Sequence, residues 1–352
     1  MSGREFFVGK TPILEQKKNV SGAYVEVEGE VFYRIENHNA MRPFFMTVVS
    51  SSDHWLFISS NGSLSAGRKN PDCALFPYYT DDKITDSAEI TGNKTIIRVV
   101  EGDKTFLWEP HSDRFAGAYS IQRNIYKNAI GNKVLFEEVN TDLNLTHQYR
   151  WTFSDAYGFV KRSKLINHSD ESRSIELVDG FQNLLPFGVD SGLQNSRSTL
   201  VDAYKKNELD KDTKMGVFTL SAMIIDRAEP SEALKATVAW SVGLDNFRVL
   251  LSSLQLDQFR RGHDIKEETE VKAERGSYFV HSEFQMSAKA GLEWYVVADI
   301  NQSITDLVQL KQDLKFKDSL VQKIISNITE GTHALRRKVG AADGIQVSND
   351  KL

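Results

Sequence analysis

Apolar and polar residues alternate with a period of two over most of the chain, from about residue 22 to about residue 300. In AYVEVEGEVFYRI, Val25 and Val27 fall on one face and Glu26 on the other, and the alternation resumes with Val31 after a turn. This pattern is typical of half-buried β-strands. TIIRVVEGDKTFLWEP likewise predicts a hairpin, in which a Glu-Gly-Asp-Lys turn joins two strands.

Further runs with the same character follow along the chain, separated by Asn, Asp, Ser or Gly. They are KVLFEEV, LNLTHQYRWTF, GFVKRSKLI, SIELVDGFQNLL, MGVFTLSAMI, ATVAWSV, FRVLLSS, SYFVHSEFQM and LEWYVVADI. No periodic run of helical length is evident between them. At least eleven strands with short polar links predict a mainly β fold, a large antiparallel super-sandwich of two sheets packed face to face, rather than a parallel α/β fold.

The period changes to a helical one at about residue 303. Leu320, Ile324 and Ile328 recur at helical spacing, and Ser303 followed by Asp306 resembles a capping box. The pattern predicts two helices, over residues 303–314 and 317–339, with those three apolar residues packed on the sandwich.

The predicted organisation is therefore a β domain, a helical linker and a short end. The β domain covers residues 1–302, the linker of two helices covers residues 303–340, and residues 341–352 form a polar tail.

Composition narrows the possible partners. The chain has 352 residues, of which 40% are apolar and 26% charged, and 43 basic against 48 acidic residues give a net charge of −5. A nucleic-acid partner would require a basic surface, so none is expected. The single cysteine, Cys73, excludes an intrachain disulfide and suits a reducing compartment. Without an apolar stretch of signal or membrane length, we expect a cytoplasmic protein with no membrane partner.

Catalytic motifs are not recognisable. GSLSAG resembles a serine-hydrolase elbow, but the spacing between Gly62 and Ser65 is one residue too long. The eight histidines are scattered, and adjacent acids such as Glu137 and Glu138 point to opposite faces of a strand. The sequence therefore predicts no catalytic residue and no metal ligand.

The stretch FISSNGSLSAGRKNPDCALFPYY is unusually rich in turn-forming and short polar residues, and its middle is expected to be irregular. Aromatic rings, amides, a guanidinium and a carboxylate suit a sugar, which offers hydroxyls and C–H faces. The alternative is that the polar residues build turns while the aromatics fill the edge of the core. The candidates for sugar binding or a domain interface are Trp55, Asn61, Arg68, Asn70, Asp72, Tyr78 and Tyr79.

Three long segments carry a resemblance to a known family. HWLFISSNGSLSAGRKNPDCALFPYYTDDKI, HSDRFAGAYSIQRNIYKNAIGNKVLFEEVN and ELVDGFQNLLPFGV closely resemble the N-terminal region of cellobiose-phosphorylase-like proteins. These belong with the inverting glycoside phosphorylases and cyclic β-glucan synthases. The resemblance implies a galactose-mutarotase-like super-sandwich and a helical linker, followed in the family by a catalytic (α/α)6 barrel that this chain does not include.

The resemblance also implies which domain carries the catalytic groups. In the family, the catalytic acid and the groups that bind inorganic phosphate lie on the barrel, so phosphate is a co-substrate of the complete enzyme and no cofactor is expected. The leading hypothesis is therefore a non-catalytic N-terminal domain that supports assembly and contacts sugar. Its expected partners are the barrel, a second copy of the chain and a β-glucan-type oligosaccharide.

Two other functions remain open. A stand-alone carbohydrate-binding module would use the cluster from Trp55 to Tyr79. An enzyme of the aldose-epimerase type would need a histidine and a carboxylate converging on a sugar ring, with His111 or His147 as the histidine.

Overall fold

The computed structural model describes residues 6–13, 18–222, 224 and 234–342. Within them the chain forms antiparallel sheets and a C-terminal pair of helices, which confirms the predicted fold class. The strands are β1 (Phe6–Val8), β2 (Thr11–Ile13), β3 (Ser21–Val27), β4 (Glu30–Glu36), β5 (Phe45–Val48), β6 (His54–Ser59), β7 (Leu64–Arg68), β8 (Ala74–Phe76), β9 (Gly92–Glu101), β10 (Lys104–Trp108), β11 (Ile121–Asn128), β12 (Val134–Asn140), β13 (Leu145–Ser154), β14 (Gly158–Asn167), β15 (Arg173–Leu184), β16 (Lys205–Asp210), β17 (Met215–Leu220), β18 (Lys235–Val242), β19 (Arg248–Leu250), β20 (Glu270–Lys272), β21 (Gly276–Met286) and β22 (Gly291–Ser303).

One large sheet dominates the architecture. Its eleven strands are ordered β20-β16-β17-β18-β22-β14-β13-β12-β11-β4-β3. A five-stranded sheet, β10-β9-β15-β21-β19, and a four-stranded sheet, β5-β6-β7-β8, lie against it, and β1 pairs with β2. The predicted hairpins β3–β4 and β9–β10 are both present.

The main core lies between the large sheet and the two smaller ones. Trp151 of the large sheet stacks on Phe181 of the five-stranded sheet at a centroid distance of 5.1 Å, and Phe76 of the four-stranded sheet meets both rings edge-on. All three side chains are fully buried. Burial of large aromatic surface is thus what joins the sheets into one sandwich.

A buried ion pair crosses the same core. Lys161 of β14 donates to the carboxylate of Asp179 of β15 at 2.8 Å, and neither side chain is accessible to solvent. Asp179 also accepts hydrogen bonds from Thr95 Oγ1 at 2.6 Å and from Trp294 Nε1 at 2.6 Å. The carboxylate therefore connects the large sheet to the five-stranded sheet.

Two helices cover part of the outer face of the large sheet. They are α4 (Ile304–Asp313) and α5 (Lys317–Ala341), close to the predicted bounds, and the capping box between Ser303 and Asp306 is present. Leu320 and Ile324 are fully buried against Trp240 and neighbouring apolar residues of the sheet, and Ile328 packs partly on the same cluster. This confirms the predicted packing, while residues 343–352 of the predicted tail lie outside the described residues.

Two local predictions were wrong. The helices α1 (Asp81–Asp86), α2 (Ser191–Tyr204) and α3 (Leu256–Arg260) interrupt the strands. α2 is largely polar, and its backbone kinks at Arg197. The helix therefore buries little apolar surface, and its sequence shows no clear helical period.

The second wrong prediction concerns the stretch that was expected to be irregular. It contains β7, because Gly67 provides the close approach that the ring of Trp55 needs in the neighbouring strand.

Candidate functional site

The aromatic members of the predicted sugar-binding set lie beside α2. Trp55 and Tyr78 meet edge-to-face at a centroid distance of 5.5 Å, and the hydroxyl of Tyr79 accepts a hydrogen bond from Gln194 Nε2 at 2.8 Å. Asp72 accepts hydrogen bonds from the backbone N–H and the hydroxyl of Ser191, the first residue of α2. These four predicted residues therefore form one surface group, the α2-edge cluster, defined as Trp55, Asp72, Tyr78 and Tyr79.

The other three predicted residues make different contacts. Asn70 caps a short 3₁₀ turn by accepting a hydrogen bond from the backbone of Asp72. Asn61 fixes the β6–β7 turn by donating to the carbonyl of Thr85 at 2.8 Å, and it lines a small cavity of about 130 Å³. The two asparagines thus have the turn-building contacts of the alternative interpretation.

Arg68 reaches across the sandwich to a buried carboxylate. Its Nε donates to Asp299 at 2.8 Å, and one of its terminal nitrogens donates to Asp53 at 3.1 Å. Burial raises the pKa of Asp299 to about 6, and the charge of Arg68 offsets this only in part. Asp299 lines a cavity of about 140 Å³ beneath α4, together with Tyr157 and Trp240. Arg68 therefore binds at the Asp299 carboxylate and is not part of the α2-edge cluster.

The two histidines considered for epimerase chemistry do meet. His111 Nε2 lies 3.1 Å from His147 Nδ1, and the backbone N–H of His111 donates to Glu138, which Arg123 also binds. Burial lowers the pKa of His147 to about 3 and that of His111 well below its usual value. His147 is fully buried, whereas His111 is half-buried and lines the cavity of about 130 Å³ that Asn61 also lines. The pair therefore lies between the core and that cavity.

A cavity of about 360 Å³ lies on the outer face of the large sheet beside α5. Its size is that of a small-molecule site. Charged groups of both signs line it, together with hydroxyl groups and the apolar edge of α5: Glu28, Glu30, Lys133, Arg150, Thr152, Arg162, Glu293, Tyr295, Ile325, Ile328 and Thr329. We call this the outer-face cavity.

A carboxylate from a hairpin tip spans one side of the outer-face cavity. Glu28 and Gly29 form the two-residue β3–β4 turn, both with positive φ, as a type I′ turn requires. One oxygen of Glu28 accepts from Arg150 at 2.8 Å and from Arg162 at 2.7 Å. Partial burial acts to raise the pKa of Glu28, but the hydrogen bond from Arg162 and the charge of Arg150 lower it to about 2. The turn thus holds an ionised carboxylate against two guanidinium groups.

On the far side, Arg162 also pairs with Glu293, which accepts a hydrogen bond from the hydroxyl of Tyr295 at 2.7 Å. A second, smaller cavity adjoins beyond Glu28 and is lined by Gln148 and Lys164. Glu28, with its ion pairs to Arg150 and Arg162, therefore lies between the outer-face cavity and this smaller cavity.

Comparison with known proteins gives likenesses of structure only. No family model and no curated protein matches the sequence. A polysaccharide lyase matches over 75% of this chain and 33% of its own, at 10% identity and a TM-score of 0.39. A proposed aldose 1-epimerase from Escherichia coli K12 matches over 74% of this chain and 100% of its own, at 8% identity and a TM-score of 0.40. A proposed kojibiose phosphorylase from the human microbiome matches over 67% of this chain and 27% of its own, at 12% identity and a TM-score of 0.36.

The chain therefore spans about a third of the lyase and about a quarter of the phosphorylase, but the whole epimerase-like chain. The likeness concerns the β architecture. Within the ranges that the structure describes, no helix is long and apolar enough to cross a membrane, and no three acidic, histidine or cysteine side chains are grouped to hold a metal.

The sequence analysis missed the outer-face cavity. A usable indication was present, because Arg150 and Arg162 occur in the runs LNLTHQYRWTF and GFVKRSKLI, which the short link makes a hairpin. Two arginines at facing positions repel each other unless an anion lies between them. What the sequence could not indicate is that the anion comes from Glu28, 134 residues from Arg162.

Proposed function

We propose that the chain is a non-catalytic N-terminal domain of a carbohydrate-active enzyme of the glycoside-phosphorylase type. In this role it packs against a helical catalytic domain and contributes contacts to sugar. Inorganic phosphate is then a co-substrate of the complete enzyme and needs no site on this chain.

The observation that carries the proposal is that the linker helices have two apolar sides. Leu314 and Leu320 are buried on the large sheet, whereas Ile304 is 73% exposed, Val308 54% and Phe316 69%. Ile304 and Val308 are four residues apart on α4 and therefore share one face. Phe316 lies in the 3₁₀ turn that follows α4. We call Ile304, Val308 and Phe316 the α4 patch.

An exposed apolar group of this kind is characteristic of a surface that another protein element covers. The residues of α4 that face the sheet, Leu307 and Leu310, already pack on the core. The α4 patch is therefore additional apolar surface, not part of the contact that folds α4 onto the sandwich. A helical domain that packs its own apolar ridges against α4 would remove it from water.

The chain by itself should associate through the α4 patch. Sedimentation velocity should show growing dimer or larger species as concentration rises, and the variant carrying Ile304→Ser, Val308→Ser and Phe316→Ser should sediment as a monomer. Ile90→Ser is a matched control, because Ile90 is also an exposed isoleucine but lies far along the chain. If the unsubstituted chain stays monomeric at every concentration, the proposal is contradicted.

A second candidate, a stand-alone carbohydrate-binding module, is favoured by the α2-edge cluster. Tyr78 is 36% exposed, and its ring is held in place by the edge of Trp55. Held aromatic rings stack on the C–H faces of sugars, and the exposed carboxylate of Asp72 in the same cluster provides a hydrogen-bonding group.

Calorimetry with β-glucan oligosaccharides tests whether the chain is a stand-alone carbohydrate-binding module. A binding module should give millimolar or tighter binding, and Tyr78→Ala should weaken it by about 2- to 10-fold, the contribution of one aromatic contact. Trp55→Ala should also weaken binding, but it removes packing as well, so Tyr78 is the cleaner test. Phe115→Ala, at a similarly exposed aromatic, is the control. Absence of heat with any glucan oligosaccharide argues against the module.

A further inference from the structure

Arg150 and Arg162 occupy directly facing positions of β13 and β14 on the outer face of the large sheet. Like charges at such positions are destabilising. Both side chains are largely buried, and the Nε atom of each is buried without a hydrogen-bond partner. Two guanidinium groups with unused donors thus converge on one point of the outer-face cavity.

The anion now at that point satisfies the arginines incompletely. Both arginines donate to the same oxygen, Glu28 Oε2, although a guanidinium group can bind both oxygens of a carboxylate. The Glu28 side chain is 47% exposed and stands on a hairpin turn rather than within the sheet. Positive φ at this position normally favours Asn, Asp or Gly, so the glutamate is opposed to the local preference of the turn.

We propose that Arg150 and Arg162 bind the carboxylate of an acidic sugar, a uronate, which takes the place of Glu28. The inference deepens the proposed function and rests on it, since it names the class of sugar that this domain contacts. With Glu28 turned away, Lys133, Arg150 and Arg162 face two carboxylates in the cavity lining, Glu30 and Glu293. One unbalanced positive charge remains, and a ligand with one negative charge matches it.

The rest of the outer-face cavity suits the remainder of a sugar ring. Thr152, Thr329 and Tyr295 offer hydroxyl groups, while Ile325 and Ile328 of α5 offer apolar contact to C–H groups. The volume of about 360 Å³ is sufficient for a small ligand beside the arginine pair. The cavity thus combines one anion site with a mixed wall of hydroxyl and apolar groups.

The test is calorimetry with D-glucuronate and with its neutral parent, D-glucose, on the full chain. Glucuronate should bind and glucose should bind more weakly. Glu28→Gln removes the competing charge at constant shape, so it should tighten glucuronate binding by about tenfold. Arg150→Met should weaken glucuronate binding by a similar factor, and Arg248→Met, at an exposed arginine on β19, should leave it unchanged.

Arg150 is the better arginine to replace, because Arg162 also holds Glu293 and its loss risks the fold. Equal binding of acetate, inorganic phosphate and glucuronate would indicate an unspecific anion site and overturn the inference. So would glucuronate binding that is indifferent to both Glu28→Gln and Arg150→Met. Neutral β-glucan binding, or association through the α4 patch, would survive either result, so the failures of the two proposals can be told apart.

Discussion

Asp179→Ala should lower the free energy of unfolding by about 3–5 kcal/mol, because removing one partner of a buried ion pair leaves the other charge uncompensated. Lys161, fully buried in the sandwich core, would lose its carboxylate. The same substitution removes the acceptor for Trp294 Nε1 and for the hydroxyl of Thr95. Urea titration monitored by tryptophan fluorescence measures the loss, with constant m as the check for two-state behaviour.

The directions of the pKa shifts of Lys161 and Asp179 agree with a pair in which each charge stabilises the other. Burial lowers the pKa of Lys161, and the charge of Asp179 acts against that shift. Burial acts to raise the pKa of Asp179, yet the charge of Lys161 keeps it below its usual value. The charge of each group thus offsets part of the desolvation of the other.

The double variant Lys161→Met and Asp179→Leu is the matched control. Replacing both charges by apolar groups of similar size is often neutral or stabilising, so the double variant should be more stable than Asp179→Ala alone. Asp170→Ala, which removes a solvent-exposed partner of Lys289, should change stability little. Equal stability of Asp179→Ala and the parent chain would show that the pair is not required between the sheets.

The chain should also lose stability steeply between pH 7 and pH 5. Burial lowers the pKa of His38 to about 4, of His54 to about 3 and of His147 to about 3. Burial also lowers the pKa of His111 and His281. In the unfolded chain these groups titrate near 6.5.

The sign follows from which state takes up protons. Below about pH 6.5 the unfolded state binds protons on these histidines and the folded state does not, so stability falls with pH until the folded pKa values are reached. At pH 5 each of the three histidines with a pKa of about 3 or 4 costs about 2 kcal/mol, together about 6 kcal/mol. Asp299 acts in the opposite direction, because its pKa is raised to about 6 and the folded state gains its proton first, which offsets about 1 kcal/mol. The net loss of about 5 kcal/mol is comparable with the stability of an ordinary domain.

Urea titrations at pH 7, 6 and 5 measure this loss. The slope against pH should correspond to about three protons or more, and His147→Gln should reduce it by about one, since glutamine has no proton to gain. The slope should persist at high salt, because a desolvation penalty is not screened as surface repulsion is. Stability that is flat down to pH 5 would contradict the burial of these histidines.

The local pattern of the sequence determined the elements. Period-two alternation indicated the hairpins and the long strands, because side chains of a strand with one buried face must alternate. The helical period placed α4 and α5 and correctly assigned Leu320 and Ile324 to the buried side. The helical period did not predict α2, because this polar helix buries little apolar surface and its apolar residues do not recur at helical spacing.

The grouping of chemical side chains was decided only by the tertiary structure. Arg68, placed by sequence with its neighbours, bonds Asp299, 231 residues away. His111 meets His147, and Glu28 meets Arg162, through the order and curvature of an eleven-stranded sheet. Alternation says which side of its strand a residue faces, but it does not say which strands become neighbours or which turn reaches over a face. The strands and helices are therefore local properties of this sequence, whereas its cavities exist only once distant strands have paired.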